Sequence, residues 1–201
     1  MFKLYFSPGA CSLAPHLVLR EANIPFELVR VDLRAKTYAG GDYWKINPKG
    51  GVPALDLGNG EVLTENAVIL QYLADQKPAT KLIPQAGSLP RYRCQEWLNF
   101  IATELHKGFG PLWKPDTPAD FKPIVLANLS QRFDLLNHHL KENNFLMASN
   151  YTIADAYLFT ITRWSEPLKI SLTPWPALEK FMERIKARSA TMEAFQAEGL
   201  K

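Results

Sequence analysis

The chain holds only two cysteines, Cys11 and Cys94, in 201 residues. That excludes a disulfide framework as the source of stability and leaves two free thiols. No apolar stretch approaches the roughly 20 residues needed to span a bilayer as a helix. The N-terminus runs from Met1 into Phe2-Lys3-Leu4-Tyr5-Phe6, without the basic, apolar and small-residue regions of a secretory signal. Charge of one sign is also scarce. Lys and Arg number 23 against 20 Asp and Glu, a net of +3, and the signs are interspersed, as in Glu179, Lys180 and Glu183. Without a dense basic stripe no nucleic-acid partner is expected, whereas a weak positive bias suits an anionic small ligand. There is no internal repeat and no low-complexity tract. These absences lead us to expect a soluble, cytoplasmic globular protein with neither membrane nor nucleic acid among its partners. With 47% apolar and 21% charged residues, the chain can build one large core or two small ones.

What is present falls into two halves. Lys3-Leu4-Tyr5-Phe6 reads as a short strand closed by Ser7-Pro8-Gly9. A helix is expected from about Cys11 to Ala22, broken by Asn23-Ile24-Pro25. Phe26 to Asp32 alternates like a second strand, completing a βαβ unit with parallel strands. After an irregular stretch containing Gly40-Gly41, Asn47-Pro48 and Gly50-Gly51, Val52 to Leu57 is a third strand. Gly58-Asn59-Gly60-Glu61 turns it into an antiparallel fourth at Val62-Leu63, and Thr64-Glu65-Asn66 opens a helix. Pro78 to Pro90 reads as a linker, and beyond it strand patterning stops. Helical spacing links Trp97, Leu98, Ile101, Ala102 and Leu105, and again Ile124, Val125, Leu129, Phe133 and Leu136. Thr117-Pro118-Ala119-Asp120 and Thr152-Ile153-Ala154-Asp155 both carry helix-start signals, and two short helices fill Pro176 to Gly199. The expected architecture is an α/β domain over residues 1–80, with a mixed sheet in βαβ-ββα order, followed by an all-α domain over 88–201.

Three places can carry chemistry. Cys11 stands between a strand and a helix start, where unpaired amides and the helix dipole favour an anion; a lowered thiol pKa is expected there, although a small buried apolar residue serves equally well at that place. No second thiol follows, so it is not a two-cysteine redox motif. Pro53 heads a strand, where its missing donor is tolerated; a cis bond would leave the amide and carbonyl of Val52 to pair with an extended peptide. Glu65-Asn66 sits at a helix N-terminus, which suits both capping and a carboxylate ligand. By contrast, His16 and the adjacent pair His138-His139 carry no metal-ligand spacing, and Asp155 is assigned to capping. Tyr5, Phe109, Trp113 and Trp164 suit an apolar pocket, though core packing is the commoner use of such residues.

Pro8-Gly9-Ala10-Cys11-Ser12-Leu13, Asn47-Pro48-Lys49-Gly50 with Val52-Pro53-Ala54-Leu55, and Leu63-Thr64-Glu65-Asn66 resemble the cytosolic glutathione transferases. The run from Trp97 to Lys107 and the box from Thr152 to Phe159 extend the likeness across the whole chain. A cysteine where other classes have tyrosine or serine makes it similar to the bacterial beta class. The resemblance implies a thioredoxin-like N-terminal domain, an all-helical C-terminal domain forming the electrophile pocket, and conjugation of the glutathione thiol to hydrophobic electrophiles by a homodimer. Glutathione is then a co-substrate, with no metal and no further cofactor. The implied glutathione contacts are Ala10, Cys11, Lys36, Gly51, Val52, Pro53, Glu65 and Asn66 from the first half. From the second half come Asn99, Thr103, Glu104, Leu105, His106 and Lys107, and Cys11 and His106 are the implied catalytic pair. Val52 would pair with the cysteinyl part beside a cis Pro53, Glu65 and Asn66 would hold the γ-glutamyl end, and Lys36 would reach the glycyl carboxylate. Glu104 suits the family's use of an acid from the neighbouring subunit. Asn99, Thr103 and His106, at i, i+4 and i+7, share one face of a regular α-helix, and a neutral imidazole there polarises a thiol or activates a water. The loop after Lys36 is about one residue shorter than the family pattern, and Asn66 stands where serine or glycine is common.

Two rival readings use the same residues. In one, Cys11 forms a mixed disulfide with glutathione in thiol-disulfide or reductive chemistry. In the other, the fold binds ligands without catalysis.

Overall fold

Phe2–Phe6 forms strand β1, whose Leu4, Tyr5 and Phe6 are buried. Nearly continuous apolar character is what a strand covered on both faces requires. The chain then crosses through helix α1, Leu13–Glu21, into β2, Phe26–Asp32. β2 lies parallel to β1 with Phe2 opposite Phe26 and Phe6 opposite Arg30. Strands β5, Ala54–Asp56, and β6, Val62–Thr64, form the expected antiparallel hairpin, and β5 runs antiparallel to β1 on the edge away from β2. Helix α2, Asn66–Asp75, follows. The mixed sheet and the βαβ-ββα order are therefore as the sequence reading expects.

The computed structural model describes all of Met1–Lys201 and corrects three boundaries. The stretch expected to be irregular contains two further strands, β3 at Thr37–Tyr38 and β4 at Gly41–Asp42, which extend the sheet to six strands in the order β4-β3-β2-β1-β5-β6. Two-residue strands are too short to show periodicity, and Gly41 supplies the positive φ (120°) that the tight turn demands. Helix α1 begins at Leu13 rather than Cys11, with Ser12 as its N-cap. The Ser12 hydroxyl accepts from the Ser7 amide (3.2 Å), closing the loop that carries Cys11.

The third correction concerns the C-terminus. Met1–Ile83 and Arg188–Lys201 form one unit, and Pro84–Ala187 forms the other. The last helix, α8 at Ser189–Glu198, therefore belongs with the sheet and not with the helical domain expected over 88–201. Buried polar pairing explains this. Glu198 Oε1 lies 2.8 Å from Nδ1 of the fully buried His16 on α1, and Glu198 Oε2 accepts from the Gly9 amide at 2.9 Å. Arg20 Nε donates to His16 Nε2 (2.9 Å). Both ring nitrogens of His16 are thus taken up inside this unit, by Glu198 and Arg20.

The helical unit contains α3 at Leu89–Phe100, a π-helical turn at Ile101–His106, a single turn α4 at Lys107–Phe109, α5 at Phe121–Glu142, α6 at Ile153–Thr162 and α7 at Pro176–Lys186. Every residue of α6 is buried. Its start is the expected capping box: Asp155 Oδ2 accepts from the Thr152 amide (2.8 Å) and hydroxyl (2.9 Å), and Asp155 Oδ1 accepts from the Leu146 amide (2.8 Å). The other helix-start signal misleads. The Thr117 hydroxyl donates back to the Pro111 carbonyl (2.6 Å), and α5 begins only at Phe121. No helix of the chain is long and apolar enough to cross a membrane.

Candidate functional site

In the first unit, segments distant in sequence meet around Cys11. Its Sγ donates to the Val52 carbonyl at 3.0 Å, and its own carbonyl accepts from Asn66 Nδ2 at 2.9 Å. The Val52-Pro53 bond is cis. The Gly51 carbonyl, one residue earlier, is held by the Tyr43 hydroxyl (2.8 Å) and Asn47 Nδ2 (2.7 Å). Lys36 Nζ donates to the Gly50 carbonyl (2.7 Å) and lies 5.6 Å from the centre of the Trp44 ring. Ala10 sits in the turn before Cys11, its amide on the Ser7 carbonyl (3.0 Å). Ala10, Cys11, Gly51, Val52, Pro53 and Asn66 thus meet, with Lys36 attached through Gly50. The Val52 carbonyl, which the sequence reading leaves for a ligand, is engaged by the thiol.

Glu65 precedes α2 with φ of 71°. That conformation costs a non-glycine residue roughly 1–3 kcal/mol and is typical of ligand clamps and active sites. Its carboxylate pairs with Lys49 Nζ at 2.6 Å, and both side chains are more than half exposed, so the pair itself adds little stability. The Val68 and Ile69 amides return to the Glu65 carbonyl, and the two amides before them, of Asn66 and Ala67, have no partner inside the helix. Asn66 Oδ1 is a buried acceptor without a hydrogen-bond partner. The orientation of the Asn66 amide is fixed by the Cys11 carbonyl, which only the NH2 end can face.

The electrostatics of Cys11 differ from the sequence expectation. The amides of Cys11 and Ser12 lower its pKa, as a helix start should, but burial outweighs them and Glu65 adds to the rise; the thiol is pushed up to about 12. With only 8% of the residue exposed, the cost of desolvating a thiolate exceeds what two amide dipoles return. Cys11 is a protonated hydrogen-bond donor here, not a resting thiolate.

The helical unit holds the remaining six expected residues on and beside one irregular turn. Thr103 Oγ1 donates to the Asn99 carbonyl (3.0 Å), competing for an acceptor that a regular helix gives to a backbone amide. Ile101–His106 winds as a π-turn, with hydrogen bonds to the fifth residue and fewer degrees per residue. The regular α spacing that would put His106 on the face of Asn99 and Thr103 therefore does not hold through this turn. Asn99, Thr103 and Lys107 are exposed. Leu105 is fully buried and packs in the core of this unit. Glu104 Oε2 takes both Nε (3.0 Å) and Nη2 (2.7 Å) of Arg132. His106 Nδ1 lies 2.7 Å from the Tyr157 hydroxyl, and its ring packs edge-on against Tyr157 and Trp164 at 5.8 and 5.0 Å. Trp164 also meets Phe109 and Trp113 edge-on.

Sequence reasoning missed the residues that position others: Ser12, Tyr43, Asn47, Lys49, Arg132 and Tyr157. Asn47 alone left a readable signal, since Asn-Pro-Lys-Gly is turn chemistry and its Oδ1 accepts from the Lys49 amide.

The profile "Glutathione S-transferase, N-terminal domain" matches residues 9–76, and "Glutathione S-transferase, C-terminal domain" matches residues 100–189. Glutathione S-transferase GstA of Escherichia coli O157:H7 is 48% identical over 200 residues, covering 99% of this chain and 100% of that protein. A glutathione transferase structure from Methylococcus capsulatus is 52% identical with a TM-score of 0.97, covering 99% of each chain. A sphingomonad glutathione S-transferase complexed with glutathione is 42% identical with a TM-score of 0.95, covering 99% of this chain and 100% of that one.

Proposed function

The chain belongs to the glutathione S-transferase family, and from that premise we propose that it binds glutathione through its first unit and adds the tripeptide's sulfur to hydrophobic electrophiles. The observation that carries this reading is the convergence of Cys11 Sγ on the Val52 carbonyl next to the cis Pro53. A peptide amide entering as an added strand takes that same carbonyl. The cysteinyl N–H of glutathione then displaces the thiol from Val52, and Cys11, still protonated, turns its S–H toward the sulfur of the ligand.

The other contacts follow from the chemistry of each group. The first amides of α2, at Asn66 and Ala67, receive the α-carboxylate, and the buried Asn66 Oδ1 accepts from the α-ammonium. Lys36 meets the glycyl carboxylate as a flexible point charge. His106 polarises the sulfur, with Asn99, Thr103 and Lys107 contributing polar contacts around it, and Glu104 of the neighbouring subunit meets the ligand's amino group. Leu105, being buried, supports the turn and does not touch the ligand. Phe109, Trp113 and Trp164 offer an apolar aromatic surface to the electrophile. The protein acts as a cytoplasmic homodimer.

In the reaction, the glutathione thiol gives its proton to solvent and the thiolate attacks an electrophilic carbon. With an aryl halide the C–S bond forms and halide departs with the electrons of the carbon–halogen bond. Catalysis comes from holding the sulfur ionised and aligned. Cys11→Ala tests the division of labour. Conjugation of 1-chloro-2,4-dinitrobenzene is expected to persist with kcat/KM down roughly tenfold, the weight of one hydrogen bond to an anion, whereas reduction of a glutathionylated disulfide through Cys11 is abolished. Wild-type protein that neither binds glutathione nor conjugates it would overturn the proposal.

A further inference from the structure

The Tyr157 hydroxyl, on the buried helix α6, stands 2.7 Å from Nδ1 of His106, and the residue is 1% exposed. We propose that Tyr157 is a positioning residue that fixes His106 in the tautomer carrying its proton on Nε2, so that the imidazole serves the reaction as a hydrogen-bond donor and not as a base. This deepens the role given to His106 above and rests on that reading.

The 2.7 Å separation is a full hydrogen bond whichever atom holds the proton, so the chemistry of the two groups decides its direction. The two partners are unequal. A phenol is a stronger donor than a neutral imidazole N–H, and an imidazole nitrogen is a stronger acceptor than a phenol oxygen, so the proton belongs between them with oxygen as donor. Finally, Tyr157 is held on an element with no freedom to adjust: all ten residues of α6 are buried and its first turn is locked by the Thr152–Asp155 box. The His106 ring is pinned in turn, edge-on to Tyr157 at 5.8 Å and to Trp164 at 5.0 Å. A ring that receives a proton at Nδ1 must carry its own at Nε2 if it is neutral. Nε2–H can stabilise a thiolate, but it has no lone pair with which to remove a proton from a thiol.

His106 closes the π-turn Ile101–His106, and the hydroxyl it meets belongs to a residue 51 positions away in sequence.

Nitrogen-15 chemical shifts of His106 in the ligand-free wild type read the tautomer directly and need no substrate. The expected result is a protonated Nε2 and an unprotonated, hydrogen-bonded Nδ1. Tyr157→Phe, which removes one oxygen and keeps the ring, is expected to shift these resonances toward a tautomer mixture. It should lower kcat for 1-chloro-2,4-dinitrobenzene roughly three- to tenfold, the weight of one net hydrogen bond, while leaving KM for glutathione within about twofold. In a His106→Gln background, where an amide N–H replaces the donor, the same Tyr157→Phe change should cost nothing further. A wild-type ring protonated on Nδ1, or a Tyr157→Phe effect as large in His106→Gln as in wild type, overturns the proposal. If His106→Ala leaves conjugation intact while the shifts show the Nε2–H tautomer, the role of His106 fails and the tautomer assignment stands.

Discussion

Cys11 is governed by a contest between two local effects, and their sizes decide its chemistry. The amides of Cys11 and Ser12 pull the thiol pKa down, and burial pushes it up further than they pull, to about 12. Cys94, fully buried beside Thr152 and Asp155 in the helical unit, is pushed up by burial to about 11. Both thiols are therefore expected to resist iodoacetamide at pH 7 in the native, ligand-free protein, since the thiolate is the attacking species. Mass spectrometry of intact protein checks this, with slow labelling that accelerates on unfolding as the expected outcome; rapid, stoichiometric labelling of Cys11 at pH 7 contradicts it. At this scale the sequence was legible for residue type and neighbourhood: Cys11, Val52-Pro53 and Asn66 stand out by position and do meet. The sign of the pKa shift was not legible, because burial depends on what lies across the sheet and helix, and no local pattern reports it. Tyr157 was invisible for the same reason. Inside the run Ala156-Tyr157-Leu158-Phe159 nothing distinguishes a tyrosine that packs from one whose hydroxyl holds a histidine.

Elements announce their starts unevenly. Thr152-Ile153-Ala154-Asp155 forms its box because Asp155 finds three donors, from Thr152 twice and from Leu146 once. Thr117-Pro118-Ala119-Asp120 has the same grammar, but the Thr117 hydroxyl is taken by the Pro111 carbonyl and the helix waits until Phe121. Burial pushes the Asp155 carboxyl up to about 6 even against those donors. A carboxyl with a raised folded-state pKa binds more protons folded than unfolded between its two pKa values. Its contribution to stability is thus greatest below about pH 3.9 and is lost as pH rises through about 6. The stability of wild type relative to Asp155→Asn should fall by roughly 2–3 kcal/mol between pH 4 and pH 7, measured by urea unfolding at each pH. An advantage that instead grows with pH contradicts the raised pKa. The π-turn at Ile101–His106 shows the converse limit, since apolar spacing identified the helix but assumed its winding, and the Thr103–Asn99 bond that accompanies the change is a side-chain choice periodicity does not contain.

At the scale of the whole molecule, the order of elements was legible because strand and helix periods change once, near the proline-rich stretch from Pro78. The return of α8 to the first unit was not. It depends on Glu198 meeting His16 and the Gly9 amide, three groups scattered over nearly the full chain whose pairing no local pattern reports. That contact ties the C-terminus to the turn preceding Cys11, so the loop that carries Cys11 is braced from residues at both ends of the chain. The proposed function turns on a single outcome: an ionised glutathione sulfur held for attack. The most direct test is the ultraviolet thiolate absorbance of glutathione titrated into the wild-type protein across the neutral and acidic range. A saturable thiolate band at pH 7, persisting at least a full pH unit below the value at which free glutathione ionises, is the predicted result. Saturable binding with the bound thiol still protonated at pH 7, or no binding at all, would contradict it.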